Sequence, residues 1–213
     1  MGLALIAALQ RLANLRRLWR SPGRFEPYPS GASLFDSEYA AGEWDHLTDV
    51  SERPRYGVIA AYCRHFAPGG RLLDVGCGVG LLSQHINAGA NGNYVGIDVS
   101  AKAVAAAKAA AGGRGVFHVA DVAGYSPEGR FDAVIFNEVL YYLQAPGEVV
   151  AQYSRLLAPA GVIIVSQWSG IGRVKGAQLW RLVMRGHDVL GETRIIGDGD
   201  RSWTIRVLRP APA

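Results

Sequence analysis

Cysteine is scarce: the chain has two in 213 residues, Cys63 and Cys77. Two thiols with no ligand-like spacing exclude a disulfide framework and fit a reducing compartment. The five histidines lie at 46, 65, 85, 118 and 187, none at metal-ligand spacing from another, so no zinc or iron centre is expected. No apolar run approaches the ~20 residues of a membrane-spanning helix. Met1 to Leu9 is short, and its charges follow the apolar stretch, the reverse of a secretory signal. Internal repeats and low-complexity tracts are lacking. Most of the chain also lacks an excess of either charge. Residues 1–30 carry five Arg against Glu26, and the other 183 residues balance at 17 basic and 17 acidic. A nucleic-acid enzyme carries a basic face on the domain itself, so nucleic acid is not the expected partner.

What is present is a soluble globular composition, 49% apolar and 19% charged. The length suits one domain with an extra arm. We divide the chain into a basic N-terminal arm and linker (1–34) and a main domain (35–213). The domain comprises a cap at 35–66 and a core at 70–209. Drawn as a helix, the arm puts Leu5, Leu9, Leu12, Leu15 and Trp19 on one side and Gln10, Arg11, Asn14 and Arg17 on the other. Two uses stay open: docking on the domain or a partner subunit, and weak contact of residues 1–20 with an anionic membrane surface. A cytoplasmic location is expected, at the membrane periphery if the arm works in the second way. The oligomeric state is not legible.

Residues 21–34 are rich in Pro and Gly and read as a loop; 36–50 are mixed aromatic and acidic. A helix is expected at 55–66. Strands are expected at 71–75, 93–97, 116–119, 131–136 and 161–166, alternating with helices at 81–90, 101–111 and 146–157. That alternation implies βαβ units and a parallel sheet. A helix near 175–185 precedes strands at 189–196 and 203–208, which flank Gly197-Asp198-Gly199-Asp200 and read as a hairpin.

The central motif is Leu72-Leu73-Asp74-Val75-Gly76-Cys77-Gly78-Val79-Gly80. An apolar strand runs into a glycine loop that opens a helix, whose first N–H groups lack internal partners. The dinucleotide pattern G-x-G-x-x-G would need glycine at Leu81. The acid at Asp74 suits a cationic ligand better than a pyrophosphate. Asp98, 22 residues after Gly76, lies near the ~20-residue spacing at which an acid reaches ribose hydroxyls. Asp121 follows the next strand, where an acid can accept from an adenine amino group. All three acids fall past the ends of successive parallel strands, where open α/β sheets bind ligands.

These stretches resemble the class I S-adenosylmethionine-dependent methyltransferases. The resemblance runs over residues 70–209. It is carried by Leu73–Gly80, Gly96–Ser100, Ala120–Val122, Phe131–Ile135 and the turn Leu156–Gly161, which has Ala158 and Ala160 where the family has lysine and glycine. It implies a Rossmann-like α/β fold: a seven-stranded, mostly parallel sheet with a C-terminal antiparallel hairpin and helices on both faces. It implies S-adenosyl-L-methionine as cofactor and S-adenosyl-L-homocysteine as product. By the same resemblance Gly76, Gly78 and Gly80 would face the methionine and ribose, with Asp74 near the amino group. Asp98 would hold the ribose, Val99 pack on the adenine, and Asp121 contact its amino group. Cys77 and Val122 join them as cofactor-binding residues, and Asn137 would line the transfer site.

The expected reaction moves the methyl group to an oxygen or nitrogen of a small-molecule or sugar-type acceptor. Asn137–Leu143, with Trp44 and Arg55-Tyr56, also resembles the nodulation N-methyltransferases, which act on chitin-type oligosaccharides. The alternative is an RNA or protein methyltransferase docked by the basic arm. The Asn-Pro-Pro-aromatic signature of base and amide methylation is missing after the fourth strand, where Asn137-Glu138-Val139-Leu140 stands. An alcohol or ammonium acceptor needs a base within reach; the candidates are Glu138, Tyr141 and His46.

Overall fold

A computed structural model describes residues 25–86, 93–197 and 201–212. Its frame is a seven-stranded sheet in the order β3-β2-β1-β4-β5-β7-β6. The strands are β1 (Leu72–Val75), β2 (Tyr94–Asp98), β3 (Val116–Val119), β4 (Phe131–Asn137), β5 (Leu157–Trp168), β6 (His187–Ile196) and β7 (Ser202–Pro210). β1 to β5 are parallel, and β7 runs antiparallel to both β5 and β6. This is the Rossmann-like fold with a terminal hairpin that the sequence implies.

The helices are α1 (Ala32–Ala41), α2 (Arg53–Phe66), α3 (Leu81–Ile86), α4 (Ala101–Ala111), α5 (Pro146–Ser154) and α6 (Arg173–Val183). Alternating strand residues feed two cores, because successive side chains leave a strand on opposite faces. Leu73, Val75, Val134, Phe136, Ile163 and Val165 pack with Val150 and Tyr153 of α5 and Leu179 and Val183 of α6. Leu72, Tyr94, Ala133, Ile135 and Ile164 pack with Ile59 and Cys63 of α2 and Val104 and Ala107 of α4. Each fully buried Val, Leu or Ile here contributes about 1.5–3 kcal/mol.

α4 shows how local sequence sets an element. Eight of its eleven residues are alanine, the best helix former. Ser100 caps its N-terminus by accepting from the Ala103 N–H, and Gly112 ends it in the left-handed region at φ 56°. β5 starts earlier than the strand expected at 161. Its pairing with β4 shifts between Phe131 and Ala133, so the Pro159-Ala160-Gly161 turn appears as an irregularity inside one strand.

β1 and β4 are adjacent, and the chain leaves them toward opposite halves of the sheet. A crevice therefore opens at their carboxyl ends, the position where such sheets take ligands. Helix α1 lies over this rim and was not foreseen in the sequence. Among the described residues no helix is long and apolar enough to cross a membrane. The amphipathic arm expected at 1–20 lies outside the described residues, as do the last residues of the helix expected at 81–90.

Candidate active site

At that switch point lies a cavity of about 520 Å³. One wall is the glycine loop. Its turns need positive φ, 73° at Gly76 and 52° at Gly78, and both positions are too close-packed for a Cβ. A Cβ on Gly76 would fall 2.7 Å from a Val139 methyl, and one on Gly78 would fall 2.8 Å from the Tyr39 hydroxyl. The loop is fixed from below, where the Gly76 and Cys77 N–H groups donate to the Ile97 carbonyl at 2.8 and 2.9 Å. It is fixed from the side by Asp98, whose Oδ2 accepts from the Gly78 N–H and whose Oδ1 accepts from the Ser100 N–H, each at 2.9 Å. Burial raises the Asp98 pKa, and the backbone donors at Ser100, Gly78 and Val99 oppose the rise.

Eight of the ten residues expected to hold the cofactor line this cavity: Gly76, Cys77, Gly78, Asp98, Val99, Asp121, Val122 and Asn137. Asp121 is exposed at its edge, with Oδ1 accepting from the Ala123 N–H at 2.7 Å. Gly80 instead faces the protein, where a Cβ would fall 3.1 Å from that of Ala107 in α4; it permits close helix packing. Asp74 is 1% exposed and sits beneath the loop, bonded to the Tyr94 hydroxyl, with Oδ1 buried and unpartnered.

The three base candidates also line the cavity. Glu138 follows β4 directly and is the one non-glycine residue with positive φ, 62°, among the described residues. Such backbone strain persists where the surroundings over-determine it. Here the carboxylate accepts from the Ser166 hydroxyl at 2.5 Å, the Trp168 N–H at 2.8 Å and the Tyr141 hydroxyl at 3.2 Å. Burial raises its pKa, while Arg55 and these three donors restrain the rise. Tyr141 is buried, and burial and the Glu138 charge push its hydroxyl well up, so it stays a neutral donor to Glu138. His46 is exposed at the mouth, stacked on Trp44 with its Nδ1 2.8 Å from the Glu43 carbonyl.

Sequence reasoning missed Arg55 as a buried charge. It is 2% exposed in the first turn of α2 and donates to Asn137 Oδ1, to Glu52 Oε2 at 2.8 Å and to the Tyr56 hydroxyl at 3.2 Å. Burial acts to lower its pKa, but the Glu138 and Glu52 carboxylates outweigh that and hold it above the ordinary value. A helix-start arginine gives no such signal; only the approach of α2 to β4 reveals it. The second missed group is Asp36 of α1, which accepts from the Ser100 hydroxyl at 2.6 Å and the Lys102 N–H at 3.1 Å. It pins α1 to the N-terminus of α4, where a negative charge is favoured. This places Phe35 and Tyr39 over the cavity beside Trp44.

The family description "Methyltransferase domain" matches residues 73–165. A ubiquinone biosynthesis O-methyltransferase of Burkholderia cenocepacia is 34% identical over 163 residues, covering 74% of this chain and 61% of that protein. Its counterpart in Rhodopseudomonas palustris is 28% identical over 165 residues, covering 68% and 65%. These matches agree with the resemblance to the class I S-adenosylmethionine-dependent methyltransferases carried by the glycine loop and the acids that follow it. That resemblance implies S-adenosylmethionine as the cofactor for the cavity. The chain spans less than two thirds of the length of either relative. Among solved structures, the fold matches the N-methyltransferase NodS of Bradyrhizobium japonicum in complex with S-adenosylhomocysteine. The TM-score is 0.70 at 18% identity, covering 85% of this chain and 98% of that one. It also matches a Burkholderia thailandensis 1,6-didemethyltoxoflavin N1-methyltransferase, with a TM-score of 0.68 at 19% identity, covering 90% and 97%.

The residues present fit this cofactor. A cationic ligand suits a cavity that borders Asp98 and Asp121 and has an unpartnered buried carboxylate oxygen beneath its floor. Gly76 and Gly78 present no Cβ to the cavity, and the side chains that close on them are Val139 and Tyr39. Among the described residues no group of three His, Cys, Asp or Glu side chains could hold a metal.

Proposed function

We propose that this methyltransferase moves a methyl group from S-adenosylmethionine to an oxygen or nitrogen of a small-molecule acceptor. One observation carries the reading: a single cavity runs from the glycine loop and Asp98 to Glu138 and a set of aromatic rings, Phe35, Trp44, Tyr142, Trp168 and Trp203. The size suits a pocket-bound ligand, since small-molecule sites run about 300–1,000 Å³ and are mostly apolar with a few polar groups.

When bound, the cofactor supplies a methyl group already activated on a sulfonium sulfur. The chain's part is positioning and proton transfer. Asp98 would hold the ribose hydroxyls. Val99 and Val122 would pack on the adenine, and Asp121 would meet its amino group. Arg55, a guanidinium at the inner wall, would balance the donor's carboxylate. Asn137 and Glu138 stand where β4 ends, beside the acceptor space. Glu138 takes the acceptor's proton: its carboxylate lines the cavity and is fixed by the Ser166, Trp168 and Tyr141 donors. The aromatic rings exclude water and hold the acceptor's apolar body. The relatives named as ubiquinone O-methyltransferases favour a hydroxylated aromatic acceptor over the sugar type.

The test is calorimetry with S-adenosylhomocysteine followed by transfer of a labelled methyl group to a panel of phenols, heteroaromatic amines and amino sugars. The reading expects micromolar product binding and labelling of a phenol or amine. Absence of product binding would refute it. Labelling confined to RNA or a protein would move the assignment to the macromolecular class.

A further inference from the structure

The sheet ends in two edges of different kinds. β3, at one edge, has four residues, and a short edge is one way a sheet avoids pairing with another chain. β6, at the other, has ten, with neither proline nor lysine among them. Its pairing with β7 shifts between Val189 and Gly191, a bulge confined to the first half of the strand. From 191 to 196 the pairing with β7 is unbroken. Among the described residues no strand lies on the outer side of that stretch. It offers a regular row of N–H and C=O groups to a partner strand.

The side chains of this stretch divide by face. Thr193 lies on the α2 side, where its hydroxyl meets that of Tyr62 at 2.7 Å. Alternation puts Glu192, Arg194 and Ile196 on the opposite face, and all three are exposed. Glu192 Oε2 accepts from Arg206 Nε at 2.6 Å, yet 40% of its side chain stays open, which leaves room for a second cation. Arg194 belongs to no ion pair among the described residues. The exposed large apolar residues of β6 stand at its two ends, Val189 and Leu190 at the start and Ile196 at the finish.

We propose that β6 pairs antiparallel with β6 of a second copy of this chain, about a twofold axis at Thr193, to form one continuous sheet. Charge selects that register. Directly opposite residues share a face, so the register slips only by steps of two. With the axis at Glu192, that carboxylate would oppose its own copy; with the axis at Arg194, the guanidinium would do so. Like charges directly opposite are destabilising, whereas unlike charges and Thr–Thr pairs are favourable. The axis at Thr193 sets Thr193 opposite its own copy and sets Glu192 of each copy opposite Arg194 of the other. It also brings Ile196 of each copy to the Leu190 end of the other, which covers exposed apolar surface at both ends of the strand. One strand pair makes a small interface of the kind found in transient complexes, so the dimer should be reversible, with Kd on the order of 10–100 μM.

The experiment is sedimentation velocity of the full chain from about 5 to 500 μM, a range that brackets this Kd. The samples are wild type, Glu192→Arg, Arg194→Glu, and the two variants mixed in equal amounts. Wild type should pass from monomer to dimer across the range. Each variant alone sets two like-charged pairs face to face and should weaken association by about tenfold or more. The mixture should associate as wild type does, because each copy then supplies the charge that the other lacks. Circular-dichroism melts check that both variants fold. A merely structural effect of either substitution would not be rescued by mixing. Wild type that stays monomeric at the highest concentration overturns the proposal without any variant. A dimer that both folded variants leave intact, one that Arg194→Glu alone weakens, or a mixture no stronger than its components overturns it as well.

Discussion

Replacing Asp98 by Ala should separate two jobs that the structure gives to one carboxylate. Its oxygens brace the loop through the Gly78 and Ser100 N–H groups, and in the proposed complex they also take the ribose hydroxyls. Hydrogen bonds to a charged group are worth about 1.5–3 kcal/mol each. Losing two toward the ribose should weaken S-adenosylhomocysteine binding by at least about 100-fold. The two backbone bonds also go, but the half-buried charge leaves with them. The net loss of stability should be about 1–2 kcal/mol, a few degrees in Tm for a domain of this size. Calorimetry and a thermal melt on the same sample read both quantities. Asp98→Asn keeps an oxygen for the loop, so it should recover much of the melting temperature while affinity stays low. Near-wild-type affinity in a folded Asp98→Ala protein would refute the ribose assignment.

Other consequences follow from the same geometry. Glu138→Gln keeps the shape of the side chain but removes the base; turnover should fall about 10²–10⁴-fold with product affinity within a few-fold of wild type, read by steady-state rates and calorimetry. Equal losses in both would make Glu138 structural. Removing the Arg55 guanidinium as Arg55→Ala strands Glu52, which is 5% exposed, and should cost about 3–5 kcal/mol by denaturant unfolding. Asp74 has a folded pKa above its unfolded value, so its neutral form favours folding. Its contribution is full below about pH 4 and lost as pH rises through about 7, an effect of up to about 4 kcal/mol. The ligand-free protein should gain from this group on acidification from pH 8 toward 5, and Asp74→Asn should flatten that part of the profile in melts.

Much of the frame was legible because its signals are local. The helix at 101–111 and the strand at 116–119 appear with the expected bounds, since alanine richness, a serine cap and closing glycines mark them. Helix α1 was not legible. It buries no residue, and its N-cap Gly31 makes no capping bond, so it shows neither an apolar stripe nor a start signal. It is held by Asp36 on Ser100 and by ring contacts at long range. The site divides in the same way. The glycine loop and Asp98 announce themselves by spacing, whereas Arg55 and Glu52 read as a charged helix start until α2 meets Asn137. Gly80 shares the motif but serves α4 packing, a difference that spacing does not encode.

The measurement that bears most directly on the account is a crystal structure with S-adenosylhomocysteine. The account predicts ribose hydroxyls on the Asp98 carboxylate, adenine between Val99 and Val122 with its amino group at Asp121, and sulfur directed toward Asn137 and Glu138. A ligand bound elsewhere, or a protein that excludes it with Tyr39 still seated over Gly78, would contradict the account.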